Sequence, residues 1–122
     1  MRLVVGKKER VFSVGDEGKE LVIVLSGEVE VRLPTSNRHY KRLATYGPGA
    51  FFGEVAFLNP GPRSANAVAA ATSDLRVLDR EGFEALRRQA PEAASSILFA
   101  LGRAQSRHLR WSASEIQRLA EW

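Results

Sequence analysis

Phe51-Phe52-Gly53-Glu54-Val55-Ala56-Phe57-Leu58-Asn59-Pro60-Gly61-Pro62-Arg63-Ser64-Ala65-Asn66-Ala67-Val68-Ala69-Ala70 is the stretch of this chain with the densest chemistry. Two aromatics lead into Gly53, and a short apolar run, Val55 to Leu58, follows. A single helical turn starting there leaves backbone N–H groups without intrahelical acceptors, and such donors attract anions. Asn59-Pro60-Gly61-Pro62 forces a turn, because the prolines fix φ and the glycine tolerates positive φ. That turn swings Arg63 back toward the helix start, where its planar fork suits phosphate oxygens. Ser64 adds a hydroxyl donor, and the short side chain of Ala65 lets a ligand approach the backbone. Glu54 is the odd member: a carboxylate beside a phosphate site is useful when it accepts a hydrogen bond from another part of the ligand, such as a ribose hydroxyl. Taken singly, Glu54 also reads as an acid favoured by the helix dipole, and Arg63 as a solvated turn residue. Their joint spacing favours the phosphate cradle.

Working upstream, the chain from Val11 to Asp79 reads as short strands separated by turn signals. Gly15-Asp16-Glu17-Gly18 is a turn, and Leu21 to Leu25 is an apolar run of strand length. Ser26-Gly27 reads as a hairpin turn into Glu28-Val29-Glu30-Val31-Arg32-Leu33, which alternates as a strand with one buried face does. Pro34 to His39 is a polar loop, Arg42 to Tyr46 another strand, and Gly47-Pro48-Gly49 turns the chain into the cradle. Ala67 to Ala71 and Leu75 to Leu78 complete the set. Strands this short and this frequent predict a closed antiparallel barrel or jelly roll.

Downstream the pattern becomes helical. Asp79 is placed to cap a helix over Arg80 to Gln89, and Pro91 suits the first position of a second helix running almost to Trp122. Within it Leu98, Gln105, Ser112 and Leu119 recur every seven residues, with Gly102, Leu109 and Ile116 as a companion row. This seam predicts a homodimer or pairing with a neighbouring helix. Arg110, Trp111 and Ser112 carry chemistry suited to a lid over a planar ligand: a ring to stack, a guanidinium to lie over it and a hydroxyl to bond it.

Composition narrows the function classes. The 122 residues, 44% hydrophobic and 26% charged, suit one globular domain, and the absence of cysteine excludes disulfides and thiolate chemistry. No apolar run has the length of a membrane span, and Met1-Arg2-Leu3-Val4-Val5 is too short for a signal peptide, so a cytoplasmic location without membrane insertion is expected. The net charge of +4 comes from scattered arginines, which favours an anionic ligand and does not by itself argue nucleic acid. His39 and His108 have no metal-ligand spacing, and no nucleophile has a partnered base, so neither a metal centre nor an enzyme is expected.

Phe52-Gly53-Glu54-Val55-Ala56, six residues, then Arg63-Ser64-Ala65 resembles the phosphate-binding cassette of cyclic-nucleotide-binding domains. The resemblance extends over roughly Val11 to Leu119 and implies the jelly-roll form of the barrel. It implies that Glu54 holds the ribose 2′-OH, that Arg63 holds the cyclic phosphate, and that Ser64 and the backbones of Gly53 and Ala65 add donors. The last helix is similar to the one through which catabolite activator proteins dimerise and which closes over the base, with Ser112 near that family's base-contacting hydroxyl. The N-terminal helices usual before the barrel are missing, and Gly6 to Gly15 is longer than the usual first hairpin. No basic recognition helix is visible, so direct DNA binding is not expected. Tyr40 to Gly49 with the cassette is most similar to domains at the C-terminus of SulP-type anion transporters and some glutaminases, so a parent transporter or enzyme is a candidate host.

The expectation is thus one cyclic-nucleotide-binding domain, 1–122, with a β-barrel over 1–79, a cassette at 51–70 and a helical lid and dimerisation segment over 80–122. No cofactor is expected; the ligand is cAMP in preference to cGMP, since Ser64 lacks the threonine methyl that would fix a hydroxyl toward guanine. The alternative is an oligomerisation scaffold with a vestigial pocket.

Overall fold

The computed structural model describes residues 1–120, the side chains of 108–116 and 119 excepted. The chain falls into two compact units, Met1–Gly82 and Phe83–Trp122. The first holds strands β1 (Arg2–Val5), β2 (Arg10–Phe12), β3 (Glu17–Gly18), β4 (Leu21–Ser26), β5 (Val29–Pro34), β6 (Tyr40–Tyr46) and β7 (Phe51–Phe52). The short helix α1 (Glu54–Leu58) and strands β8 (Gly61–Pro62), β9 (Asn66–Ala69) and β10 (Ser73–Leu78) complete it. Helices α2 (Arg80–Gln89) and α3 (Pro91–Ala120) follow.

Two antiparallel four-stranded sheets, ordered β1-β10-β4-β7 and β2-β9-β5-β6, sandwich the core, and β3 pairs with β8 as a small separate ribbon. The core draws Val5, Val22, Val24, Leu75 and Val77 from the first sheet and Val29, Ala67 and Ala69 from the second, with Phe52 among them. Period-two alternation explains the arrangement: Val29 and Val31 turn to the core side of β5, which sends Glu30 and Arg32 to its outer face. The expected antiparallel β roll followed by a short and a long helix is present, but its sheets stay open and do not close into a barrel.

The hairpin expected from Leu21 to Leu33 does not form. β4 pairs with β10 and β7, whereas β5 pairs with β6 and β9, so the chain crosses between sheets at Gly27. Gly27 has φ 92°, and Ser73, 1% exposed, receives the next residue: its Oγ accepts from the Glu28 N–H at 3.0 Å and donates to the Ala71 carbonyl at 2.8 Å. The Ala70 N–H also donates to the Glu28 carbonyl at 2.9 Å. Glu28 is therefore tied to the β9–β10 connection. β1 lies upstream of the span read as strands and pairs with β10, Leu3 opposite Leu75.

The helix starts follow their caps. The Gly82 N–H donates to Asp79 Oδ1 at 2.7 Å, the bond an N-cap makes to the third helical residue. Pro91 opens α3, and the Ala94 N–H donates to the Ala90 carbonyl at 3.1 Å. In α3 the buried positions are Ala94 and Leu101, while Leu98 of the expected seam is half exposed and Phe99 is 69% exposed. Leu109, Ser112, Ile116 and Leu119 of the seam lie outside the described side chains. No helix among the described residues is long and apolar enough to cross a membrane.

Candidate functional site

A cavity of about 210 Å³ opens at the cassette, its lining including Phe12, Val31, Tyr46 and Phe52 together with Gly53, Glu54, Arg63, Ser64 and Ala65. The sequence thus brings its five cassette residues to one pocket, and each arrives for a local reason. Gly53 caps α1 at φ 81°, a left-handed conformation that glycine adopts without penalty, and its carbonyl accepts from the Phe57 N–H at 3.2 Å. Glu54 is the first helical residue. Gly61 and Pro62 form β8 against Glu17 and Gly18, and this ribbon delivers Arg63 to the pocket.

Arg63 is not a solvated turn residue: it is 8% exposed. Its Nη2 donates to the Glu20 carbonyl at 2.9 Å, its Nη1 to the Gly53 carbonyl at 3.4 Å, and its Cζ stands 4.1 Å from the ring centroid of Phe12. The main chain is fixed as well, since the Arg63 N–H donates to the Asp16 carbonyl at 2.7 Å and the Gly15 N–H donates to the Arg63 carbonyl at 2.8 Å. Burial pulls the guanidinium pKa down, while the charges of Glu20 and Asp16 oppose the shift. The group remains a cation, because arginine does not deprotonate in proteins. Of its five N–H donors, two are bonded to carbonyls and hold the side chain, and the rest have no acceptor among the described residues.

Two glycines make room for this arginine. A Cβ on Gly18 would overlap the Nε of Arg63, and a Cβ on Gly53 would meet Nη1 at 2.8 Å. The guanidinium is thus enclosed by Gly18, Gly53 and the Phe12 ring.

Glu54 is half buried and its carboxylate has no hydrogen-bond or ion-pair partner among the described residues. It lies within electrostatic reach of Tyr46, whose phenol is pushed up first by burial and then by the Glu54 charge. Tyr46 in turn stacks on Phe52, ring centroids 5.2 Å apart, and Phe52 meets Phe12 at 5.9 Å. Through Phe12, which faces the Arg63 guanidinium, the three rings form one connected set along the pocket. Ser64 is exposed at the rim and Ala65 is buried beneath it. Their amides have no acceptor among the described residues.

The candidate lid, Arg110, Trp111 and Ser112, lies outside the described side chains. Phe12, Gly18, Glu20 and Tyr46 are the site residues that sequence reasoning missed. Gly18 carried a signal, having been read only as a turn glycine; the others come from strands or loops remote from the cassette and carried none.

A pocket lined by a buried arginine, a carboxylate without a partner among the described residues and three aromatic rings suits a small anionic ligand that also offers a hydrogen-bond donor. Residues 2–90 match the cyclic nucleotide-binding domain family, and the chain belongs to it. It is 39% identical over 93 residues to the cyclic AMP receptor protein of Thermus thermophilus, spanning 76% of this chain and 43% of that protein. A cyclic nucleotide-gated potassium channel of Mesorhizobium japonicum is 37% identical over 81 residues, 66% of this chain and 21% of the channel. Among solved structures, the catabolite activator protein of Thermus thermophilus superposes with a TM-score of 0.77 at 35% identity, over 98% of this chain and 55% of that one. The chain thus spans less than half the length of these curated relatives.

Proposed function

We propose that this chain is a sensor domain that binds cAMP in preference to cGMP and uses the ligand to hold its C-terminal helix in a closed arrangement. The observation that carries this reading is that the buried Arg63 and Glu54, whose carboxylate has no partner among the described residues, line one pocket. Arg63 takes the cyclic phosphate with its remaining donors, joined by the amides of Ser64 and Ala65. Glu54 accepts from the ribose 2′-OH, and the aromatic rings give the sugar and base an apolar wall. Ser64 offers a hydroxyl without the methyl that would fix its rotamer toward guanine, which favours cAMP. The names of the Thermus cyclic AMP receptor protein and of a cAMP-dependent protein kinase regulatory subunit among the relatives point the same way. Differential affinity for the closed state supplies the response, and no bond need break. The exposed Leu98 and Phe99 on α3 support pairing with a second copy.

A second reading rests on the same arginine. Two carbonyls and the Phe12 ring already occupy Arg63, as they would in a scaffold that has kept the cassette and lost the ligand. Amide NMR during titration with cAMP separates the two. The sensor reading predicts shifts concentrated at Gly53–Ala56 and Arg63–Ala65, saturating at lower cAMP than cGMP. Shifts absent or scattered at saturating nucleotide would leave the scaffold.

A further inference from the structure

On the outer face of the second sheet a concave groove of about 430 Å³ crosses all four strands, lined by Lys8 and Arg10 at one end and by Arg32, Arg38, His39 and Tyr40 at the other. Its floor includes Val68, 6% exposed although it points away from the core. The groove is separate from the cassette: on β5, Val31 lines the cassette pocket and the next residue, Arg32, lines the groove. We propose that this groove binds an oligophosphate chain, free or carried by a nucleotide.

Three observations converge. The first is uncompensated charge. Arg32 is paired with Glu30 at 3.0 Å and lies 4.2 Å from the ring centroid of Tyr40, but Arg10 donates only to the neutral Ser13 hydroxyl at 3.1 Å. Lys8 and Arg38 have no side-chain hydrogen bond or ion pair among the described residues. Three cations from two segments therefore face one concavity whose lining includes no carboxylate.

The second is backbone strain. Among the described residues, three non-glycine residues have positive φ: Lys8 at 76°, Asn37 at 62° and Arg38 at 63°. Asparagine tolerates this region, whereas lysine and arginine pay a steric penalty that glycine would not. The two strained cations stand at opposite ends of the same groove, so the strain is spent where positive charge is presented.

The third is the donor inventory. Asn66 uses its Oδ1 to accept from the Val14 N–H at 2.7 Å, which leaves its amide N–H groups, with Thr35 and the cations, to face the groove. A lining rich in donors selects a ligand made of acceptors. An acidic peptide is a poorer fit: lying across the strands, its own N–H groups would find no sheet edge to pair with. A phosphate chain carries acceptors only, and guanidinium forks match it.

The test is calorimetric titration of the full chain with inorganic tripolyphosphate, ATP and hexaglutamate, repeated on Lys8→Gly/Arg38→Gly. Replacing both residues by glycine removes two cations and relieves the left-handed strain, so the thermal midpoint should hold or rise while tripolyphosphate affinity falls by at least about tenfold. Equal binding by tripolyphosphate and ATP would place recognition in the phosphate chain, and weaker binding of tripolyphosphate would show that the nucleoside contributes; either supports the site. The proposal is overturned by unchanged affinity in the variant, by hexaglutamate binding as tightly as tripolyphosphate, or by no binding of either phosphate at about 1 mM. Phosphate binding that persists in the variant marks the cassette and not the groove, because neither substituted residue lines the cassette pocket.

Discussion

The guanidinium of Arg63 lies 4.1 Å from the ring centroid of Phe12, so the cassette arginine is held in place by a residue much earlier in the chain, on β2. A cation over an aromatic face gains about 0.5–2 kcal/mol, more when desolvated. Phe12→Leu keeps an apolar side chain and removes the ring. Calorimetry should show cyclic-nucleotide affinity falling roughly twofold to thirtyfold with the fold intact. Unchanged affinity would mean that Phe12 only fills space.

Glu54 has no partner among the described residues, so its carboxylate is available to a hydroxyl. Glu54→Gln should weaken cAMP by roughly one decade, the order expected when a charge-assisted hydrogen bond becomes neutral. The 2′-deoxy analogue should lose much less, having no hydroxyl to offer. Equal losses for both ligands would remove the ribose role.

Gly18 tests the space around the arginine. Its φ lies outside the left-handed region, so alanine is allowed by the backbone, and the three atoms nearest the new Cβ all belong to the Arg63 side chain. Overpacking of this kind costs about 1–3 kcal/mol, and Gly18→Ala should show it as a lowered denaturation midpoint together with lost nucleotide affinity. Adding Arg63→Ala should recover part of the stability, since the two sites share one contact. If the double variant is destabilised by the sum of the singles, the contact does not limit the site.

The folded-state pKa of Tyr46 is raised above the ordinary value of 10.0 by burial and by the Glu54 charge. The neutral phenol is therefore favoured by folding: this contribution is fully present below about pH 10 and is lost as pH rises from there through the raised folded value. Stability measured across this range should decline more steeply in the wild-type chain than in Tyr46→Phe. Parallel pH profiles would contradict the buried phenol.

The cassette was legible because its residues are close in sequence, but the expected turn at Pro60, Gly61 and Pro62 is not how Arg63 returns to Gly53: Gly61 and Pro62 run as strand β8, and Gly61 does not take positive φ. The rest of the site depends on tertiary pairing. Glu17 and Gly18 read as a turn, and nothing local says that they form a ribbon with Gly61 and Pro62 that seats the arginine. The false hairpin has the same origin. Ser26-Gly27 looks like a two-residue connection, but Leu21, Val22 and Val24 are buried on both faces of a strand that already has two neighbours, and Ala70, just after β9, together with Ser73 ties Glu28 at the crossing to the other sheet. Asp79 and Pro91 fixed the helix starts correctly because capping is a short-range effect.

The central claim, that Arg63 and Glu54 hold a cyclic nucleotide in this pocket, is tested most directly by calorimetric titration of the chain and of Arg63→Ala with cAMP and cGMP. The account predicts one saturable site per chain, tighter for cAMP, with Arg63→Ala losing about one to two decades of affinity while remaining folded. No binding of either nucleotide at about 1 mM, cGMP bound tenfold more tightly, or full affinity in a folded Arg63→Ala chain would contradict it.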